Sequence, residues 1–209
     1  DNIETSQIFV SSWQRTWHNL DLSPPTGLFD ILLTAYSEPH RHYHTLQHLA
    51  ECLGHFESSI SCAIKPGEIE IALWFHDAIY DLQGKNNEQL SADWAAETLT
   101  ASGASGPLCQ RVTELILATR HDVLPIDCDQ QLLVDIDLAI LGALPPRFAE
   151  YNEQVREEYA WVPEIVYRMK RKEVLAGFLA RPFIYSTDHF RELCERQARL
   201  NLQDAITAL

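Results

Sequence analysis

Leu132-Leu133-Val134-Asp135-Ile136-Asp137-Leu138-Ala139-Ile140-Leu141 is the stretch that decides the fold class. It is apolar almost all round, the signature of a buried helix. Two acids inside such a helix need an explanation, since a buried carboxylate without a partner costs several kcal/mol even after relaxation. Coordination of a cation is the simplest compensation. Positions 135 and 137 stand about 200° apart around a helix, so both cannot readily face one ion. One is expected to be the ligand and the other to make a structural contact.

Outward from this stretch, helical punctuation recurs and strand alternation is nearly absent. Helices are expected from Thr5 to Trp17, and after Pro24-Pro25-Thr26 to about Tyr36. The next run from His44 to about Phe56 and from Pro66 towards Tyr80, where Pro66 suits a first turn and Glu68 the positive end of the dipole. Leu82 to Asn87 reads as a loop, with Asn87 as N-cap for a helix over Glu88 to Ala101. Gly103 to Pro107 separates that helix from one ending near Thr119. Val123 to Asp129, with Pro125, is a short connection. Further helices are expected over Gln130–Leu141, Pro146–Tyr159, Pro163–Ala180 and Thr187–Ala208. The expectation is an all-α chain of about ten helices, forming one compact bundle over residues 1–209. Its metal-binding core would cover about 41–142, with the C-terminal helices, about 146–209, packed on it.

A length of 209 residues and a hydrophobic fraction of 46% are sufficient for one domain with a sizeable core. The net charge of −14 argues against a surface that tracks a nucleic-acid duplex, yet not against a small phosphorylated substrate, because a bound metal reverses the local field. Five scattered cysteines (Cys52, Cys62, Cys109, Cys128, Cys194) form no CxxC pair, so reduced, buried thiols in a cytoplasmic protein are expected, without a disulfide framework or thiolate zinc site. No apolar run approaches membrane-span length. The start, Asp-Asn-Ile-Glu-Thr, has neither the basic nor the apolar part of a signal peptide. The five tryptophans read as core or groove-lining residues.

Histidines and acids gather in two further stretches. Arg41-His42-Tyr43-His44-Thr45-Leu46-Gln47-His48 places His44 and His48 four residues apart, on one face if both are helical. They could share one ion, or one could bind metal while the other faces substrate; a polar first turn with exposed histidines is the structural alternative. In Leu73-Trp74-Phe75-His76-Asp77-Ala78-Ile79-Tyr80-Asp81, an apolar helix delivers His76 and Asp77 at or inside the core. A divalent cation shared by the two would remove the cost of burying the carboxylate; a plain His–Asp hydrogen bond is the alternative. Asp81, one turn on, could orient a ligand or hold a metal-bound water, or be a surface acid at the helix end.

A His, a His-Asp pair and a distant Asp on a buried helix together resemble the HD superfamily of metal-dependent phosphohydrolases. The resemblance implies His48, His76, Asp77 and a late Asp as ligands of one divalent ion (Mn, Mg, Co, Ni, Fe or Zn). Ile136-Asp137-Leu138 is closer than Val134-Asp135-Ile136 to the family's context for that last acid, so Asp137 is expected and Asp135 is the alternative. Tyr43-His44 with His48 also resembles the Tyr-His-Asn-x-x-His signature of cyclic nucleotide phosphodiesterases, with Thr45 in place of Asn, which implies His44 as general acid. The order of motifs is similar to that of a bacterial group of predicted HD phosphohydrolases, from about Trp13 to Asn201.

Arg120-His121-Asp122 ends the helix before the Asp137 segment. Where HD proteins bind two metals, two histidines usually lie in that interval; this chain has His121 alone, so one metal is expected, with His121 facing the pocket or complementing a helix dipole. Arg41, Arg156 and Arg171 are candidate phosphate contacts, since guanidinium suits bidentate phosphate binding, while a cationic run on a helix is also an ordinary solvated face. The function implied is hydrolysis of a phosphate ester or anhydride of a small metabolite such as a nucleotide. Asp77 or Asp81 would accept a proton from water, and His44 or His121 would donate one to the leaving group. The rival classes are a non-catalytic nucleotide-binding HD module and an HD-fold di-iron oxygenase. A homodimer is among the assemblies open to such a chain.

Overall fold

The computed structural model describes residues 2–209, with side chains from Thr5 onward. The expectation drawn from the first five residues therefore lies largely outside the described residues. The all-α expectation holds: every regular element among the described residues is helical, and ten helices have eight residues or more. No helix among them is long and apolar enough to cross a membrane. The chain divides into two units, Asp1–Val134 and Asp135–Leu209.

The first unit contains α1 (Asn2–Leu20), α2 (Leu28–Ala35), α3 (Leu46–Ser59), α4 (Pro66–Phe75), α5 (Asn87–Ala101), α6 (Gly106–Ala118) and the start of α7 (Cys128–Leu138). At its centre is α4, buried from Gly67 to Phe75 and packed by α1, α3, α5 and α6. The sequence Ile69-Glu70-Ile71-Ala72-Leu73-Trp74-Phe75 has no polar face, so only a helix surrounded by others satisfies it. Its acids are compensated. Glu70, fully buried, accepts from Ser12 Oγ at 2.7 Å and from the Arg15 guanidinium, while Glu68 takes the Arg111 fork at 2.8 and 3.0 Å. At the start of α4, Asp129 accepts from the backbone N–H of Ile64 and Lys65 at 2.8 and 2.9 Å, adding an anion where the helix dipole favours it. Trp74 packs edge-on against Trp13 at 4.9 Å and donates its indole N–H to Ser12 Oγ. Trp74 is a core residue, as expected, and Trp13 is half-buried against it.

Several boundaries differ from expectation, and three of them bear on residues expected at the site. Helix α3 begins at Leu46 with Thr45 as N-cap, so His44 precedes the helix. Helix α4 stops at Phe75, with His76 as C-cap, where the Tyr36 hydroxyl takes the Trp74 carbonyl and the His76 ring takes that of Leu73. Helix α5 begins at Asn87 itself; the Asn87 amide accepts from Asp81 N–H at 3.1 Å and donates to Asp81 O at 3.0 Å, closing the 81–87 loop where an N-cap had been expected.

The second unit holds the end of α7, a 3-10 turn (Ala139–Gly142), α8 (Pro145–Glu158), α9 (Glu164–Leu179), α10 (Asp188–Phe190), a π turn (Arg191–Glu195) and α11 (Arg196–Ala208). Helix α11 packs on α9 and on the 3-10 turn. Carbonyls released where α7 tightens are taken by side chains: Tyr185 donates to Leu138 O at 2.8 Å, and Asn201 to Leu141 O and Ala143 O at 3.0 and 2.8 Å. Trp161 is about half exposed, unlike the core tryptophans of the first unit.

All five cysteines are free: Cys52 and Cys194 are buried, Cys109 is partly exposed, and Cys62 and Cys128 are exposed, which corrects the expectation of uniformly buried thiols. Burial, aided by Asp135 and Glu195, pushes the Cys194 thiol up to about 11. Titration of the native protein with a colorimetric disulfide reagent near pH 8 should therefore give a fast phase from Cys62 and Cys128, with Cys194 reacting only on unfolding. Rapid labelling of Cys194, located by peptide mapping, would contradict this packing.

Candidate metal centre

His48 lies in the first turn of α3, and His76 and Asp77 follow the last residue of α4. Both histidines are buried, and the Asp77 side chain is 17% exposed. Their position depends on how α4 ends. The Tyr36 hydroxyl donates to Trp74 O at 2.9 Å and accepts from Asp77 N–H at 3.2 Å. Burial pushes its phenol above the ordinary range. Arg41 completes the brace. Its Nε donates to Glu38 Oε1 at 3.0 Å, and Nη1 donates to His44 O at 3.0 Å and Asp77 O at 2.6 Å. Nη2 donates to Ala78 O at 2.8 Å and pairs with Glu38 at 2.9 Å. The guanidinium lies 5.1 Å from the centre of the Tyr36 ring. All five N–H groups of Arg41 are thus engaged within the protein. Arg41 holds the site's backbone and has no donor left for the phosphate that the sequence suggested.

The tautomer of His76 follows from its contacts. Its Nδ1 lies 2.6 Å from Leu73 O, and a carbonyl can only accept, so Nδ1 carries the proton. Nε2 is then the atom left to face Asp77 and His48: it carries a proton towards the carboxylate in the imidazolium and presents a lone pair to a cation in the neutral ring. That Nε2 lies 2.9 Å from Asp77 Oδ2 and 3.2 Å from His48 Nε2, and His48 Nε2 lies 3.2 Å from Asp77 Oδ2. Three metal-binding atoms therefore form a triangle with edges of 2.9, 3.2 and 3.2 Å. Ligands about 2.1 Å from an octahedral ion are separated by ~3.0 Å along a cis edge. The corresponding tetrahedral edge is ~3.4 Å for bonds of about 2.1 Å. The observed edges match this spacing. Burial raises the Asp77 carboxyl, but His76 and His44 by charge, and His48 and His76 by hydrogen bonding, hold it well below the usual carboxylate range. Asp77 is the anionic member of the triangle.

A further donor was missed in the sequence. Cys52, one helical turn after His48 on α3, is buried. Ligand atoms of His48, Cys52 and His76 lie within 4.8 Å of one another, a group that could hold a metal ion. The i, i+4 spacing of His48 and Cys52 is visible in the sequence, but attention to CxxC pairs passes over it.

The other expected residues are placed as follows. His44 stacks on Tyr80 at 4.2 Å between ring centres and stands edge-on to His48 at 6.0 Å. Asp81 is exposed in the 81–87 loop, where its Oδ1 accepts from Gln83 N–H at 3.1 Å. His121 lies in the segment that follows α6 and has a left-handed conformation, φ 58°, uncommon for a residue with a side chain. In the second unit, Asp135 is fully buried: Oδ1 accepts from Ser186 N–H at 2.9 Å, and Oδ2 from Thr187 N–H and Oγ1 at 2.8 and 2.6 Å. Burial raises its carboxyl against the pull of these donors. Asp135 thus makes the structural contact, while Asp137 is half-buried on the same helix. Arg156 donates to Tyr159 O at 2.8 Å and lies 4.5 Å from the Tyr167 ring centre; Arg171 donates to Asn152 at 3.3 Å and lies 5.1 Å from the Tyr151 ring centre. Both line a cleft of about 500 Å³ within the second unit that is also lined by Glu153, Glu157 and Glu164.

No protein-family model, curated protein or solved structure matches the chain.

Proposed function

We propose that the protein is a metal-dependent phosphohydrolase of the HD type, acting on a phosphate ester or anhydride of a small metabolite such as a nucleotide. The observation that carries this reading is the His48–His76–Asp77 triangle, with one tautomer fixed by Leu73 O and the carboxylate held anionic. These two imidazoles and one carboxylate are at cation spacing, in the order the HD pattern requires. Both Asp135 oxygens are engaged by the backbone of residues 186 and 187, which fits a structural role for that acid. When bound, a divalent ion supplies Lewis acidity at a phosphoryl oxygen and a lower pKa for water.

The chain's own residues do the rest. Arg41 and Tyr36 fix the backbone at 77–78, so that the ligands hold their positions without reorganisation. His44, stacked on Tyr80 beside His48, is the proton donor to the leaving oxygen. In a chain with net charge −14 and with Arg41 committed elsewhere, a bound ion would supply the positive field for an anionic substrate.

The test is phosphate release from mono-, di-, tri- and cyclic nucleotides and an aryl phosphate, with Mn²⁺, Mg²⁺, Co²⁺ and Ni²⁺ supplied separately. Turnover that requires metal, and that His44→Ala lowers by about 100-fold or more without loss of bound metal, is expected. Absence of turnover with every metal and substrate would sink the hydrolase reading.

A further inference from the structure

We propose that the Cys52 sulfur is a ligand of the same centre, making it a thiolate-bearing site selective for borderline transition ions such as Zn²⁺, Co²⁺ and Fe²⁺ over Mg²⁺. The inference rests on the metal reading above and goes beyond it, since the HD pattern carries no cysteine at this place.

Three observations converge on Cys52. It follows His48 by four residues on α3, so the two side chains share one helix face. Its Sγ lies 3.7 Å from His48 Nε2, and its ligand atom is grouped with those of both histidines within 4.8 Å. A nitrogen and a sulfur bound to one tetrahedral zinc at about 2.0 and 2.3 Å are ~3.5 Å apart. Sγ also lies 3.8 Å from His48 Nδ1, so rotation of the Cys52 side chain about χ1 is what brings the sulfur round to the Nε2 lone pair. The thiol is also buried, with 2% of the residue exposed, and it contacts the ring of a proposed ligand.

The chemistry follows from the donor set. Coordination forms a sulfur–metal bond and releases the thiol proton to solvent, with no change in oxidation state. Two imidazoles and a thiolate favour borderline ions, whereas Mg²⁺ takes oxygen donors and retains its waters. The His48 and His76 nitrogens are common to the Asp77 set and the Cys52 set, so sulfur adds to the triangle without displacing a histidine.

The experiment is a Co²⁺ titration followed by absorption. The background is Cys62→Ser/Cys128→Ser, which removes the two exposed thiols. A near-ultraviolet thiolate-to-cobalt charge-transfer band should grow together with the visible cobalt bands, and Cys52→Ala should abolish the former while retaining the latter. Zn²⁺ affinity should fall at least about tenfold in Cys52→Ala, with Mg²⁺ affinity unchanged. Visible cobalt bands without the near-ultraviolet band overturn the assignment of Cys52 and leave the His–Asp centre standing. No cobalt bound at all overturns the metal reading and the thiolate with it. The spectrum of the protein that retains Cys52 decides the matter even if the alanine variant fails to fold.

Discussion

Asp77→Asn should lower divalent-metal affinity by roughly 100-fold or more and reduce turnover to background, while the fold survives. The substitution keeps the size of the side chain and removes its charge. Asp77 N–H still reaches Tyr36, and Asp77 O still accepts from Arg41, because both are backbone contacts. What is lost is the anion that faces His48 and His76 at 3.2 and 2.9 Å. Two neutral imidazoles then remain in the triangle, too few to hold a hard ion against water. Titration calorimetry with Mn²⁺ beside circular dichroism separates the effects. Unchanged affinity in a folded variant would show that Asp77 is only a hydrogen-bond partner of the histidines.

Arg41→Ala should destabilise the protein by about 3–5 kcal/mol, the range for removing one member of a buried charged network. Its guanidinium reaches His44 O, Asp77 O, Ala78 O and Glu38, and the alanine leaves those carbonyls without their donor at the end of α4. For a chain of this length such a loss lowers Tm by roughly 10 °C. Arg41→Lys should recover little, since an ammonium has three donors on one point where the site uses a planar fork with five. Thermal unfolding checks this. A variant whose Tm is unchanged, with only substrate affinity impaired, would instead return Arg41 to phosphate binding.

Much of this was legible in the sequence for a physical reason. Segments such as Ile69–Phe75 and Leu132–Leu138 have no polar face and can only be buried helices, so the all-α class follows from pattern alone. The presence of His48, His76 and Asp77 near the ends of such helices likewise pointed to one centre. What could not be read was how helices end. The stop of α4 at Phe75 goes with partners distant in sequence: Tyr36 takes the Trp74 carbonyl, and Arg41 holds those of Asp77 and Ala78 just beyond the helix. Sequence spacing could not distinguish a phosphate-binding arginine from one spent on backbone. The roles of Asp135 and Asn87 were hidden in the same way, since each is fixed by its partner: the N–H groups of Ser186 and Thr187 for the first, and the backbone of Asp81 for the second. Cys52 was in plain view at i+4 from His48, and only the buried position of its sulfur gives that spacing meaning.

The most direct test of the centre is metal content by plasma mass spectrometry, after the purified protein is loaded with Zn²⁺ or Mn²⁺ and freed of excess by gel filtration. About one ion per chain is expected, falling to background in His48→Ala/His76→Ala. The same metal content in both proteins, or none in the unaltered chain, would contradict a centre built on His48, His76 and Asp77.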